Sequence, residues 1–182
     1  MLFRSTPCVT AGWNALIEDV TTGRWLDPDT GAAVSVPFRH IDIGDGFAAN
    51  ARDMVEGVMP ADSYAVVCDE DTAEAMGADI ARSIGSKARL LVLDHPHADM
   101  AQVRDLQART GDVQALVAVG SGTINDLCKF ATYLDGRAYS VFGTAPSMNG
   151  YTSSTASITL DSGLKTTQNA HAGRSEERRV GK

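Results

Sequence analysis

The segment Gln114-Ala115-Leu116-Val117-Ala118-Val119-Gly120-Ser121-Gly122-Thr123-Ile124-Asn125-Asp126 predicts a buried strand, a turn with two glycines and the start of a helix. Gly120 and Gly122 allow the backbone to turn sharply and to approach a phosphate without an intervening side chain. A helix start also directs unpaired N–H groups and the positive end of the helix dipole to the same point, and Ser121 and Thr123 add hydroxyl donors. By itself, the segment favours a phosphate-binding turn and a ligand-free glycine turn about equally.

Short apolar runs alternate with helical patterns on both sides of this segment. The predicted strands are residues 64–68, 90–93, 114–119 and 139–142, and the predicted helices are residues 47–58, 72–84, 99–108 and 123–134. The alternation predicts an α/β fold with a mostly parallel sheet and helices on both faces, whose strands are buried. Ligands of such sheets bind beyond the carboxyl ends of the strands. The first part of the chain has a weaker pattern, a loosely packed segment or a hairpin around residues 27–31.

Polar residues follow two further predicted strands. Asp69 comes directly after the strand that ends at Cys68. Its carboxylate could bind the ribose hydroxyls of a dinucleotide, and it would then repel a dinucleotide with an extra 2′-phosphate. It could equally cap the next helix. The loop 143–154 is rich in small hydroxyl side chains, which are typical of a binding loop and equally of an ordinary connection. Asp69 precedes the glycine turn, so the order differs from the standard dinucleotide fingerprint.

The composition excludes several classes of protein. Hydrophobic residues make up 43% and charged residues 21% of the chain, and the net charge of −7 gives no basic surface for nucleic acid. We find no apolar run of about 18 residues and no signal-peptide pattern. The three cysteines are far apart, which disfavours a disulfide framework or a zinc ribbon. We therefore expect a cytoplasmic protein with a small-molecule substrate and no membrane or nucleic-acid partner.

Lys129 and the histidines each allow a plain structural interpretation. Lys129 lies one helical turn after Asp126 and could pair with that carboxylate, at little gain in stability, or with a ribose. His95 and His97 flank a proline and have no third ligand nearby, so a surface loop is favoured over a metal pair.

The last residues differ sharply from those before them. Residues 174–182 match an in-frame translation of the sequencing-adapter sequence AGATCGGAAGAGCGTCGTGTAGGGAAA. We therefore expect residues 173–182 to be an artefact and the natural chain to continue past Ala172. The predicted organisation is an N-terminal segment, residues 1–37, followed by one domain, residues 38–172.

The segment Gly120–Asp126 with Lys129, together with the loop Thr144–Ser153, resembles the sn-glycerol-1-phosphate dehydrogenase family. That family belongs to the iron-containing alcohol dehydrogenase and dehydroquinate synthase-like superfamily. The resemblance covers about residues 38–172 and implies a Rossmann-like domain followed by an all-helical domain. It also implies NAD or NADP as cofactor and the reversible reduction of dihydroxyacetone phosphate to sn-glycerol 1-phosphate.

The resemblance assigns roles to particular residues. It implies that the backbone from Gly120 to Ile124 holds the pyrophosphate and that Asp69 holds the adenosine ribose. Asn149 matches a substrate-facing position where the family often has Asp, so the loss of charge leaves the exact substrate open. The full set of implied cofactor-binding residues is Asp69, Gly120, Ser121, Gly122, Thr123, Ile124, Asp126, Lys129, Thr144, Ser147 and Ser153.

The metal implied by the resemblance would lie outside this chain. In the family an Asp and two His of the helical domain hold a divalent metal (Zn, Ni or Fe), which polarises the substrate carbonyl. We expect no metal ligands here and a fragment that is inactive alone. The alternatives are another polyol or alcohol dehydrogenase, a dehydroquinate synthase-like lyase, or a nucleotide-binding module without catalysis. A homo-oligomer is left open.

Overall fold

The computed structural model describes residues 12–34, 38–145 and 150–170. The chain divides into two compact units between Asp45 and Gly46, a few residues after the domain start expected at residue 38. Within the described ranges, every helix is too short or too polar to cross a bilayer.

The first unit contains a helix that the sequence pattern did not predict, α1, from Gly12 to Thr21. After it, Leu26 and Ala33 form an antiparallel bridge around a turn, which agrees with the hairpin alternative. The Asp27 carboxylate stabilises this turn by accepting the N–H groups of Asp29 at 2.8 Å and Thr30 at 2.9 Å. These hydrogen bonds lower the pKa of Asp27.

The second unit alternates helices with strands. Its helices are α2 Ala51–Val58, α3 Glu70–Thr72, α4 Ala78–Ile84, α5 Met100–Thr110 and α6 Gly122–Asp135. Its strands are β1 Tyr64–Asp69, β2 Ala88–Leu93, β3 Ala115–Gly120, β4 Ala138–Gly143, β5 Thr155–Thr159 and β6 Lys165–Asn169. A 3-10 turn, Phe47–Asn50, leads into α2, and a π-helical turn, Ala73–Gly77, joins α3 to α4.

Strands β1 to β4 form one parallel sheet in the order β2-β1-β3-β4. Helices α2 and α4 pack against one face of this sheet, around the side chains of Val66, Cys68 and Val117. Helices α5 and α6 pack against the other face, around Val67, Leu116 and neighbouring residues. The predicted α/β fold with a parallel sheet and helices on both faces is therefore confirmed.

The structure differs from the sequence prediction at β2. This strand was predicted to be buried, but Leu90 is 40% exposed and Val92 is 38% exposed. The reason is that β2 lies at the edge of the described sheet and pairs only with β1. An apolar run cannot distinguish a central strand from an edge strand, since the order of strands is set by the connections.

The antiparallel hairpin of β5 and β6 was also not predicted. Ala156 and Ile158 are buried in the same core as residues of α5 and α6, while the residues that alternate with them, Thr155, Ser157 and Thr159, are polar. Arg104 of α5 forms a bidentate ion pair with Asp161 at the hairpin turn, at 2.8 and 3.0 Å. Polar contacts of this kind have no periodic signal in the sequence.

The positions of β2 and β3 in the sheet predict that a leucine-to-alanine substitution lowers stability by different amounts on the two strands. Leu116→Ala on central β3 removes a fully buried side chain and should lower the free energy of unfolding by about 2–5 kcal/mol. Leu90→Ala on edge β2 should cost less than about 1 kcal/mol, because that side chain is already partly hydrated. Urea unfolding of both variants tests this, and equal costs would contradict the strand order.

Candidate functional site

The carboxyl ends of β1 and β3 separate at the middle of the sheet. From β1 the chain passes to β2 on one side, whereas from β3 it passes to β4 on the other side. The helical segments that follow β1 and β3 lie on opposite faces. Parallel sheets bind ligands in the crevice that opens at such a switch point. Here the crevice lies beyond Asp69, the last residue of β1, and Gly120, the last residue of β3.

Helix α6 begins in this crevice with an uncapped N-terminus. Ser121 is the N-cap residue, but its side chain makes no capping hydrogen bond. The first N–H groups of a helix have no partner within the helix, and they carry its positive partial charge. The first turn contains no acidic residue, and Ser121, Gly122 and Thr123 are partly exposed. This start therefore presents donors suited to an anion.

Two other helical segments contrast with α6 because an aspartate caps each of them. Asp99 accepts the N–H of Gln102 at 2.8 Å at the start of α5. Asp69 caps α3: its Oδ1 accepts the N–H of Thr72 at 2.8 Å and the Thr72 hydroxyl at 2.7 Å. The Asp69 N–H donates to Thr72 Oγ1 at 3.0 Å, which completes a capping box. The capping alternative for Asp69 is therefore confirmed, and the ribose contact stays a prediction.

Gly120 is required by close packing between β3 and α6. A Cβ atom at this position would lie 2.8 Å from Cβ and 2.9 Å from Cγ1 of Ile124. Helix–strand packing is thus one reason for a glycine here, and the approach of a phosphate stays a prediction. The Gly120 carbonyl also accepts the Thr144 N–H at 3.3 Å, which fixes the first residue after β4.

Tyr151 is a site residue whose role was not predicted from the sequence. Its hydroxyl donates to the carbonyl oxygens of Gly120 at 3.2 Å and Ala145 at 2.9 Å, so it joins the glycine turn to the loop after β4. Its ring lies over Gly143, with Cζ 3.0 Å from where a Cβ of that glycine would be. Burial raises the pKa of Tyr151. Ser147 and Asn149, predicted in the same loop, lie outside the described residues.

Lys129 lies beneath this loop and is fully buried. Its Nζ donates to the carbonyl oxygens of Gly150 at 2.7 Å, Ser153 at 3.0 Å and Thr155 at 3.1 Å. Desolvation lowers the pKa of Lys129, and the charge of Asp126 opposes this shift. The N–H donors of Lys129, for which the sequence suggested Asp126 or a ribose as partner, are thus bound to three backbone carbonyl oxygens.

Asp126 connects α6 to the hairpin. Its Oδ2 accepts the Ser157 N–H at 3.0 Å, and its Oδ1 accepts the Asn125 side-chain amide at 3.2 Å. Burial raises the pKa of Asp126, while the hydrogen bond from Ser157 lowers it. Ser153 is also bonded internally, with its Oγ 2.7 Å from Thr155 Oγ1. In this conformation Asp126 and Ser153 both build the wall of the crevice.

The described residues do not bring together three His, Cys, Asp or Glu side chains that could hold a metal ion. His95 and His97 are exposed, as the surface-loop interpretation predicted. His171 lies outside the described residues.

The packing of Gly120 predicts opposite effects for the same substitution at two glycines. Gly120→Ala should lower the free energy of unfolding by about 1–3 kcal/mol, because its Cβ would overlap Ile124. Gly57→Ala, at an exposed position in α2 with nothing near its Cβ, should raise it by up to about 1 kcal/mol. Denaturant unfolding measures both changes, and a Gly120→Ala variant as stable as the unaltered protein would refute the packing role.

Comparison with known proteins gives relatives for a little over half of the chain. A glycerol-1-phosphate dehydrogenase (NAD(P)+) from Bacillus velezensis is 37% identical in an alignment 111 positions long, which covers 56% of this chain and 28% of that protein. The Bacillus subtilis enzyme of the same name is 32% identical over 111 residues, with the same coverage. The chain therefore spans little more than a quarter of the length of these relatives.

Solved structures share the fold at lower identity. Glycerol dehydrogenase from Schizosaccharomyces pombe superposes with a TM-score of 0.58 and 18% identity, over 68% of this chain and 32% of that chain. Sulfoacetaldehyde reductase from Bifidobacterium kashiwanohense, in complex with NAD+, gives a TM-score of 0.58 and 17% identity, over 70% of this chain and 40% of that chain. At these identities the likeness concerns the fold alone.

The family itself follows from the match of residues 42–173, well over half of the chain, to the model of iron-containing alcohol dehydrogenases. This range includes the whole parallel sheet, the start of α6 and the hairpin. The chain belongs to the iron-containing alcohol dehydrogenase family.

Proposed function

We propose that this chain binds NAD or NADP at the switch point between β1 and β3. The observation that carries the proposal is the uncapped start of α6 in the same crevice as Asp69. A helix start of this kind suits a pyrophosphate, which needs several N–H donors and a positive field. A carboxylate on the neighbouring strand suits the hydroxyls of the adenosine ribose.

In the proposed complex, the N–H groups at the start of α6, from Gly122 to Ile124, bind the pyrophosphate. Thr144 and Ser153, together with the predicted Ser147, line the side of the crevice beyond β4. Asp126 and Lys129 hold that side of the crevice through their hydrogen bonds with the hairpin and the loop. When bound, the reduced dinucleotide supplies a hydride to a carbonyl substrate.

We further propose that the whole protein reduces dihydroxyacetone phosphate to sn-glycerol 1-phosphate, with Asn149 at the substrate. The support is that the Bacillus relatives are named as glycerol-1-phosphate dehydrogenases. The described residues offer no set of side chains that fits the metal that the family name implies.

The reaction is tested with the whole protein, supplied with Zn, Ni or Fe. Dihydroxyacetone phosphate should cause oxidation of NADH, which is measured as a loss of NADH absorbance. Oxidation of NADH only with other aldehydes or ketones would indicate a different alcohol or polyol dehydrogenase. No net oxidation with any carbonyl would indicate a lyase or a non-catalytic module.

Gly122→Val should weaken NADH binding to the chain at least tenfold, or about 1.4 kcal/mol. The branched side chain would stand at the first residue of α6, where the phosphate approaches, and outside the hydrophobic core. Gly111→Val is the matched control, because Gly111 lies just before β3 at the opposite end of that strand. NADH fluorescence gives both dissociation constants. Equal affinity of Gly122→Val and the unaltered chain would refute the phosphate assignment.

Substitutions of Asp69 should separate its capping role from its proposed contact with ribose. Asp69→Asn keeps a capping side chain but loses the charge, so it should favour NADPH relative to NADH while stability changes little. Asp69→Ala should in addition lose about 1 kcal/mol of stability with the cap. Titrations with both cofactors and urea unfolding measure these effects. If the ratio of NADH affinity to NADPH affinity were the same in Asp69→Asn and in the unaltered chain, Asp69 would act as a helix cap only.

A further inference from the structure

Lys129 is the one charged side chain that is buried among the residues the structure describes. Burying an ammonium is costly unless its donors are satisfied. Lys129 meets this requirement with backbone atoms alone, because its three N–H donors reach the carbonyl oxygens of Gly150, Ser153 and Thr155. Only the protonated amine has three donors, so the arrangement requires the charged form.

The segment that Lys129 contacts, residues 150–155, is also held by the Tyr151 hydroxyl and by the Ala170 N–H, which donates to the Ser154 carbonyl at 2.8 Å. Residues Gly150–Thr152 form a single 3-10 turn, closed by the Ser153 N–H on the Gly150 carbonyl at 3.2 Å. The side-chain amide of Asn125, also on α6, reaches the same carbonyl at 3.4 Å. Two side chains of α6, Lys129 and Asn125, therefore reach the carbonyl oxygen on which this turn closes.

Helix α6 is also the helix whose start we assign to the pyrophosphate. Lys129 lies eight residues after Ser121, which corresponds to about 12 Å along the helix axis. The same rigid helix thus presents N–H donors at its start and fixes the neighbouring wall, which carries Ser153, through Lys129. The lysine is enclosed by protein, so it cannot reach a dinucleotide without giving up these hydrogen bonds.

We infer that Lys129 is a positioning residue, which sets the loop segment 150–155 relative to the start of α6 and does not itself contact the dinucleotide. This inference rests on the proposed cofactor site. It differs from an ordinary stabilising role because it predicts a local loss of order in the loop and a loss of cofactor affinity, with the sheet unchanged.

The test compares Lys129→Met with Lys87→Met in the full chain. Lys129→Met keeps most of the apolar stem and removes all three donors. Lys87 forms a partly exposed ion pair with Glu56, just before the amino end of β2, so it serves as the control. Amide hydrogen exchange is measured without cofactor, and NADH affinity is measured by fluorescence.

We expect exchange in residues 150–155 to become at least tenfold faster in Lys129→Met, while β1 and β3 keep their protection. NADH affinity should fall at least tenfold in Lys129→Met and stay unchanged in Lys87→Met. In Lys129→Ala, added propylammonium should refill the carbonyl cage and restore both the slow exchange and part of the affinity. Unchanged protection of β1 and β3 in these variants distinguishes this local effect from a global loss of stability.

Two outcomes would overturn the inference: unchanged exchange at 150–155 in Lys129→Met, or unchanged NADH affinity despite faster exchange there. If Lys129→Met loses protection throughout the sheet, Lys129→Gln, which keeps two donors, takes its place under the same criteria. If the unaltered chain binds no NADH, the proposed function fails. The exchange experiment still decides whether Lys129 fixes the loop.

Discussion

The parallel pairing of β1 with β3, from Tyr64 opposite Ala115 to Val67 opposite Ala118, is the constraint on which the site depends. Because these strands are neighbours, Asp69 and the glycine turn meet at one edge although they are far apart in sequence. The chain winds outward in opposite directions from this pair, so a crevice opens between them. The acid that precedes the glycine turn in sequence thus occupies the same kind of place as the acid of a standard dinucleotide fold.

The crevice is built by polar side chains that bind the protein's own backbone. Lys129 fixes the loop, Asp126 fixes β5, and Tyr151 links the ends of β3 and β4. The first of these has all its donors occupied, and it was assigned to the ligand on sequence grounds. The start of α6, by contrast, keeps its donors free of a side-chain cap. We therefore distinguish two sets of groups: side chains that shape the crevice, and backbone N–H groups that bind the ligand.

The sequence predicted the four strands of the parallel sheet and the helices after them, since buried strands and amphipathic helices have distinct apolar patterns. It could not give the order of the strands, so the exposure of Leu90 and the adjacency of Asp69 to Gly120 came only from the structure. The hairpin was missed because Arg104 and Asp126 hold it from distant positions. Likewise, nothing near Lys129 in sequence indicates that its partners are carbonyl oxygens of residues 150–155.

The proposed site depends on the backbone N–H groups at the start of α6, which bind the dinucleotide. The most direct measurement is a titration of the 15N-labelled chain with NADH, followed amide by amide by NMR. We expect saturable shifts that are largest at Gly122, Thr123 and Ile124 and that extend to the residues after Asp69. Shifts confined to other parts of the chain, or none at millimolar NADH in a folded protein, would contradict it.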